Sequence, residues 1–173
     1  MDCSKNYYSE IAKGYDELYY EEQIKKWYSA EPLLNIEPNE KILDVGCGTG
    51  IITKQIYNKC KNVWGVDISE GMLNVAKEVR SGPNYLLSDA KNLPFQDKTF
   101  DKVVSFTMLQ DLPKNEWEVA LREIARVCKH KALITILKHG KNIDDLSTLL
   151  SKFFTLEKSL EEEKDFIFLC VPK

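Results

Sequence analysis

The most specific chemistry in the chain lies in nine consecutive residues, Ile42-Leu43-Asp44-Val45-Gly46-Cys47-Gly48-Thr49-Gly50. An apolar run ends in three glycines spaced two apart, and residues at helical spacing (Ile52, Ile56, Cys60) follow. Glycines allow a tight turn and let backbone N–H groups approach a ligand at the positive end of a helix. A dinucleotide fingerprint, G-x-G-x-x-G, would need a third glycine where Ile51 stands, and no Gly-Lys-Ser/Thr follows to make a P-loop. Asp67 closes the next apolar run, 21 positions after Gly46. At about that offset an acidic side chain meets ribose hydroxyls in such folds. A carboxylate can accept from both vicinal hydroxyls, which marks a nucleoside. Ser69 is better placed than Asp67 to cap the following helix.

These residues must be positioned by alternating elements. Short β-rich runs occur at Lys41–Val45, Asn62–Asp67, Tyr85–Ser88, Phe100–Phe106, Ala132–Leu137, Thr155–Leu160 and Phe166–Val171. Between most of them lie helical stripes: Met72, Val75, Ala76 and Val79; Trp117, Leu121, Ile124 and Cys128; Leu146, Leu149, Leu150 and Phe153. Alternation of this kind predicts βαβ units, a mostly parallel sheet and right-handed crossovers. The first three runs are apolar on both faces, as in a sheet covered on both sides. Only Glu161–Lys164 separates the last two runs, too few residues for a crossover helix, so they should pair as an antiparallel hairpin. The first forty residues differ in kind, with Tyr7, Tyr8, Tyr15, Tyr19, Tyr20, Trp27 and Tyr28. They read as an appended helix, ended or restarted by Pro32, that packs on the sheet or covers a ligand site.

Composition sets the class. The 173 residues fit one domain, and hydrophobic (43%) and charged (29%) fractions are ordinary for a globular chain. No apolar run approaches a membrane span, and the N-terminus has no basic-then-apolar signal pattern, so the chain reads as soluble and cytoplasmic. A net charge of −3 and only three arginines among 24 basic residues argue against unaided nucleic-acid binding. Five cysteines without a Cys-x-x-Cys pair make neither a disulfide framework nor a metal site.

The ordered motifs resemble the class I S-adenosylmethionine-dependent methyltransferases from about Tyr8 to the C-terminus. Asp44 to Gly50 is similar to the family's first motif, Val66-Asp67-Ile68-Ser69 with Met72-Leu73 to the second, and Ser88-Asp89-Ala90 with Leu93-Pro94-Phe95 to the third. Phe100 to Ser105 resembles the fourth strand. The pattern from Tyr8 through Ala12 to Tyr15-Asp16 resembles the small-molecule methyltransferases of ubiquinone and menaquinone biosynthesis. The resemblance implies a Rossmann-like α/β fold: a seven-stranded, mostly parallel sheet with a C-terminal antiparallel hairpin and helices on both faces. Residues 1–40 would form an aromatic helical lid and 41–173 the S-adenosylmethionine-binding domain. Gly46, Cys47, Gly48 and Gly50 would approach the methionine part of the cofactor, with Asp44 ordering the turn beneath. Asp67 would meet the ribose, Ile68 the adenine, and Asp89 with Ala90 the adenine edge, with Met72 also among the cofactor-binding residues. Phe106 and Tyr15 would complete the cofactor site.

Methyl transfer from a sulfonium is in-line displacement from an activated donor, so positioning can supply most of the catalysis. A general base is needed only if the acceptor must lose a proton. The acceptor should be read at Phe106-Thr107-Met108-Leu109-Gln110-Asp111, where the Asn/Asp-Pro-Pro-aromatic motif of amide methylating enzymes is missing. Many small-molecule relatives carry a histidine pair where Gln110-Asp111 stands. Asp111 is a candidate base, or a helix-start aspartate before Pro113; Tyr15 is a second candidate, and the catalytic residue is not assigned. His139 reads as an exposed loop residue on the ligand side. The chain is small, so the acceptor is expected to be a small molecule, or a partner subunit helps present it. The alternatives are a non-catalytic S-adenosylmethionine-binding subunit, a protein or RNA methyltransferase working with a partner, and an NAD-dependent oxidoreductase.

Overall fold

The computed structural model describes residues 3–138 and 143–173. Among them, seven strands form one sheet in the order β3-β2-β1-β4-β5-β7-β6. The strands are β1 (Lys41–Val45), β2 (Asn62–Asp67), β3 (Asn84–Leu87), β4 (Phe100–Phe106), β5 (Cys128–Leu137), β6 (Phe154–Glu161) and β7 (Asp165–Pro172). Helices α1 (Cys3–Leu34), α2 (Ile51–Lys59), α3 (Glu70–Val79), α4 (Trp117–Val127) and α5 (Ile143–Phe153) complete the fold. Strands β1 to β5 run parallel, and β7 pairs antiparallel with both β5 and β6. The expected Rossmann-like sheet and its terminal hairpin are both present.

The parallel strands are buried on two faces, and successive side chains serve two cores. Leu43, Val103 and Ile134 pack with Trp117, Leu121 and Ile124 of α4 and with Leu146 and Leu150 of α5. Their sequence neighbours Ile42, Val104 and Leu133 point the other way, onto Ile52 and Ile56 of α2 and Trp27, Ala30 and Leu34 of α1. From β1 the chain builds outward to β3, then returns to place β4 on the other side of β1. That reversal opens a crevice at the carboxyl ends of β1 and β4, where open α/β sheets bind ligands.

Four expectations are corrected. Strand β3 is not covered on both faces: it lies at the sheet edge, shifted one residue to Asn84–Leu87, with Leu87 48% exposed. Strand β5 starts at Cys128, because Cys128 pairs with Phe100 across a register shift, and Cys128 therefore belongs to the sheet. On α3 the buried stripe is Met72, Leu73 and Ala76, while Val79 faces solvent and its neighbour Arg80 is buried. Pro32 does not stop α1, which runs to Leu34. The missing N–H is tolerated in the last turn because Ala30 and Leu34 are fully buried on either side of it. No described helix is long and apolar enough to cross a membrane.

Candidate functional site

The glycine loop continues the β1–β2 ladder beyond the strands. The Gly46 and Cys47 N–H groups both donate to the Val66 carbonyl, at 2.8 and 3.0 Å, and Gly50 N–H donates back to Cys47 at 2.9 Å. Gly46, Gly48 and Gly50 all have positive φ, 77°, 53° and 81°. A Cβ on Gly46 would lie 2.6 Å from the Met108 Cβ, and one on Gly50 would lie 2.6 Å from the Tyr85 hydroxyl. At Gly48 nothing stands within 4 Å of that position, so this backbone is open to a ligand.

Asp67 leans back over the loop. One carboxylate oxygen accepts from Gly48 N–H and the other from Ser69 N–H, each at 2.8 Å. Burial raises its pKa above the usual carboxylate range, against the pull of those donors. Ser69 caps α3, its hydroxyl accepting from Met72 N–H. Asp44 is buried beneath the loop and accepts from the Thr53 hydroxyl at 2.7 Å. Burial pushes its carboxyl up to about 7. The Cys47 sulfur packs against Gly65, and burial raises its thiol well above the ordinary value, so it is not an activated nucleophile.

A cavity of about 260 Å³ opens at these strand ends. Gly46, Gly48, Asp67, Ile68, Met72, Asp89 and Ala90 line it, together with Tyr15, Phe106 and Asp111. Asp44 and Cys47 line a small neighbouring cleft with Tyr15 and Phe106, and Gly50 lines neither. Among the expected residues, then, Asp44, Cys47 and Gly50 support the loop from below rather than face the main cavity. Asp89 is held by the Lys91 N–H at 2.9 Å. His139 lies outside the described residues. Among the described residues no group of three His, Cys, Asp or Glu could hold a metal.

Several lining residues were not singled out as site residues from the sequence. Tyr8, Tyr19 and Gln23 join Tyr15 in the cavity. With Ala12 they recur at spacings of four and three, one face of a single helix, and that is the signal that could have found them. Ring centroids lie 6.3 Å apart for Tyr8 and Tyr15 and 4.7 Å for Tyr15 and Tyr19. The Tyr8 hydroxyl hydrogen-bonds Asp111; burial and that carboxylate both raise its pKa, so it stays a neutral phenol. Tyr15 is raised as well, mainly by burial. Asp111 does not start a helix: it ends the 3₁₀ turn Leu109–Asp111 at the mouth of the cavity. Gln110 is fixed by accepting from Leu137 N–H at 3.0 Å.

Two unusual features shape the rim. Thr107 has φ 54°, rare for a β-branched residue, and its N–H donates to the Thr135 hydroxyl at 3.0 Å. This turn carries Met108 over Gly46, which has no Cβ to clash with it. Second, buried Arg80 donates to the Thr49 carbonyl at 2.9 Å and pairs with Asp16 of α1. Asp16 in turn accepts from the Thr49 hydroxyl at 2.6 Å. One carboxylate thus ties α1, the glycine loop and the end of α3 together.

The sheet order and the position of the cavity define a doubly wound α/β protein with its main described cavity at the topological switch point, where such sheets bind ligands. Residues 43–136, more than half of the chain, match the family model described as a methyltransferase domain, and the chain belongs to that family. It is 36% identical over 125 residues to protein MJ1252 of Methanocaldococcus jannaschii, covering 72% of this chain and 47% of that one. It is also 36% identical over 141 residues to a demethylmenaquinone methyltransferase of Staphylococcus aureus, covering 76% and 58%. The chain thus spans about half the length of these curated relatives. Its fold is shared with the magnesium protoporphyrin IX methyltransferase of Synechocystis, solved with bound S-adenosylmethionine (TM-score 0.69, 20% identity, 88% and 77% covered).

Proposed function

We propose that the protein is an S-adenosylmethionine-dependent methyltransferase acting on a small molecule. The observation that carries this reading is Asp67, whose carboxylate lines the cavity while it orients the Gly48 N–H beside it. The cradle suits the cofactor: an open backbone at Gly48, a carboxylate for vicinal hydroxyls, and apolar Ile68 and Met72 for a base. Bound S-adenosylmethionine would supply a methyl group already activated on a sulfonium. In this reading Gly46 and Gly48 receive the methionine part, and Asp89 with Ala90 the adenine edge. Asp44, Cys47 and Gly50 hold the loop in shape. The chain's contribution is to position, orient and exclude water, effects worth up to roughly 7–11 kcal/mol when geometry is near attack.

Helix α1 is the cover in this proposal. Its C-terminal half is rooted in the core through Trp27, Ala30 and Leu34, and its Lys26 forms a buried ion pair of 3.0 Å with Asp165 of β7. Its N-terminal half, with the tyrosines, is fastened by polar links: Ser9 to Ser69 at 2.9 Å, and Asp16 to Thr49 and Arg80. Four buried free thiols, Cys47, Cys60, Cys128 and Cys170, suit a reducing cytoplasm.

Calorimetry with S-adenosylmethionine and its demethylated product tests the cofactor assignment. Asp67→Ala should lower affinity by about two orders of magnitude, because a charged partner for the hydroxyls is lost. Its melting temperature should stay close to that of the parent. Retained affinity in this variant would remove the ribose assignment, and tight NADH binding with no response to S-adenosylmethionine would overturn the function.

A further inference from the structure

The β4–β5 ladder ends at Phe106 and Thr135, where Thr107, at φ 54°, turns the chain out of the sheet. The N–H of Leu137, further along β5, is taken by a side chain instead: Gln110 Oε1 accepts it at 3.0 Å. This contact fixes the carboxamide in one sense. A backbone N–H can only donate, so the oxygen must face Leu137 and the NH2 group is the half that remains. Among the described residues that Nε2 makes no hydrogen bond. Gln110 is only partly buried and lines the cavity, as do Met108 and Leu112 close by in the chain and its partner Leu137. A ligand resting on this apolar surround displaces water from the NH2 group. Unless it offers a lone pair in exchange, the amide is left unsatisfied, which is costly. A site built in this way rejects the analogue that lacks the matching group. No lysine or arginine is found among the described lining residues, so an anionic group would enter without a counter-ion.

We propose that Gln110 is a specificity-determining residue of the acceptor site, and that its NH2 group donates to a neutral lone-pair-bearing group, such as a carbonyl, on the methyl acceptor. The inference rests on the methyltransferase reading above and deepens it by naming the chemistry that the acceptor must present. Gln110 takes no part in the displacement at the methyl group; it orients the molecule that receives it. The two ends of its carboxamide serve two purposes: Oε1 closes the end of β5, and Nε2 reads the ligand. The first purpose assists the second. Held by Leu137, a flexible side chain has already lost its rotamer freedom, so less entropy is lost when the ligand binds. A glutamine present only to close the strand end would need its oxygen alone.

Three probes built on one ring test this without turnover: acetophenone, which offers a neutral carbonyl; α-methylstyrene, the same shape with CH2 in place of the oxygen; and benzoate. Each is titrated near neutral pH, followed by NMR, into the protein saturated with S-adenosylhomocysteine, the neutral thioether product. Gln110→Glu keeps an oxygen for the Leu137 N–H and replaces the donor by a second acceptor, whereas Gln110→Met removes both. The readout is the ratio of acetophenone to α-methylstyrene affinity, compared between parent and variant so that the difference in hydrophobicity cancels. That ratio should fall by about fivefold or more in each variant, the scale of one hydrogen bond lost. Gln110→Met should bind α-methylstyrene at least as well as the parent does, and benzoate should bind the parent more weakly than acetophenone. The melting temperature of Gln110→Glu should stay near that of the parent. An unchanged ratio in Gln110→Glu overturns the proposal, since Gln110 then only closes the strand end. Tighter binding of benzoate than of acetophenone, or binding of none of the three, overturns it as well. With S-adenosylhomocysteine bound, these failures leave the methyltransferase reading standing; failure of the parent to bind S-adenosylhomocysteine at all would overturn that reading and this proposal with it.

Discussion

At the scale of single residues, chemistry and conformation meet at Asp44. Its carboxyl has an ordinary value of 3.8 when unfolded and about 7 when folded, because burial disfavours the charge more than the Thr53 hydroxyl favours it. Between those values the folded state binds the extra proton, so this group makes folding stability fall as pH rises from about 4 to about 7 and adds no slope above. Asp44→Asn cannot titrate, and urea midpoints at pH 5 and pH 8 should differ less in the variant than in the parent. An equal difference would show that the buried carboxyl is not the source. Asp44, Gly46, Gly48 and Asp67 were legible because a glycine-rich turn after an apolar strand admits few uses. Tyr8 and Gln23 were not singled out, since a residue on a helix becomes a site residue only when the sheet lies beneath it.

At the scale of elements, the latch between α1 and the glycine loop decides how firmly the proposed cofactor site is preformed. Asp16 joins Thr49 and Arg80, and none of the three lines the main cavity. Hydrogen bonds to charged groups contribute about 1.5–3 kcal/mol. Asp16→Asn should therefore lower affinity for S-adenosylhomocysteine by about tenfold, measured by calorimetry, through loss of loop order alone. Arg80→Met should act similarly, and the double variant should lose little more than either single change, since the bonds form one network. Additive losses would mean that the two side chains act separately. The helix-face corrections have the same origin. Hydrophobic spacing put Val79 inside, whereas Val79 is exposed and its neighbour Arg80 is buried on Asp16 and the Thr49 carbonyl. Likewise Pro32 is a stop signal locally, but core burial of its neighbours carries the helix through it.

At the scale of the whole molecule, the beginning and the end of the chain are joined by Lys26 and Asp165, at 3.0 Å and almost without exposure. A buried pair balances attraction against the cost of leaving water, so breaking it is far worse than replacing it. Lys26→Met should cost about 3–5 kcal/mol by leaving Asp165 charged and alone, whereas Lys26→Met with Asp165→Leu should recover most of that loss. Denaturant titration of the three proteins tests this, and a double variant no more stable than the single one would refute it. The sequence by itself determined the alternation of strands and helices, the terminal hairpin and the glycine loop with its acid. Each of these follows from contacts local in the chain: side-chain period, a four-residue gap, and backbone angles that glycine accepts at little cost. Only the tertiary structure decided which strand became an exposed edge, that Asp111 stands against Tyr8, and that Asp16 fastens α1 to the loop. Those depend on residues tens to a hundred positions apart, brought together by the order of strands in the sheet, which no local pattern encodes.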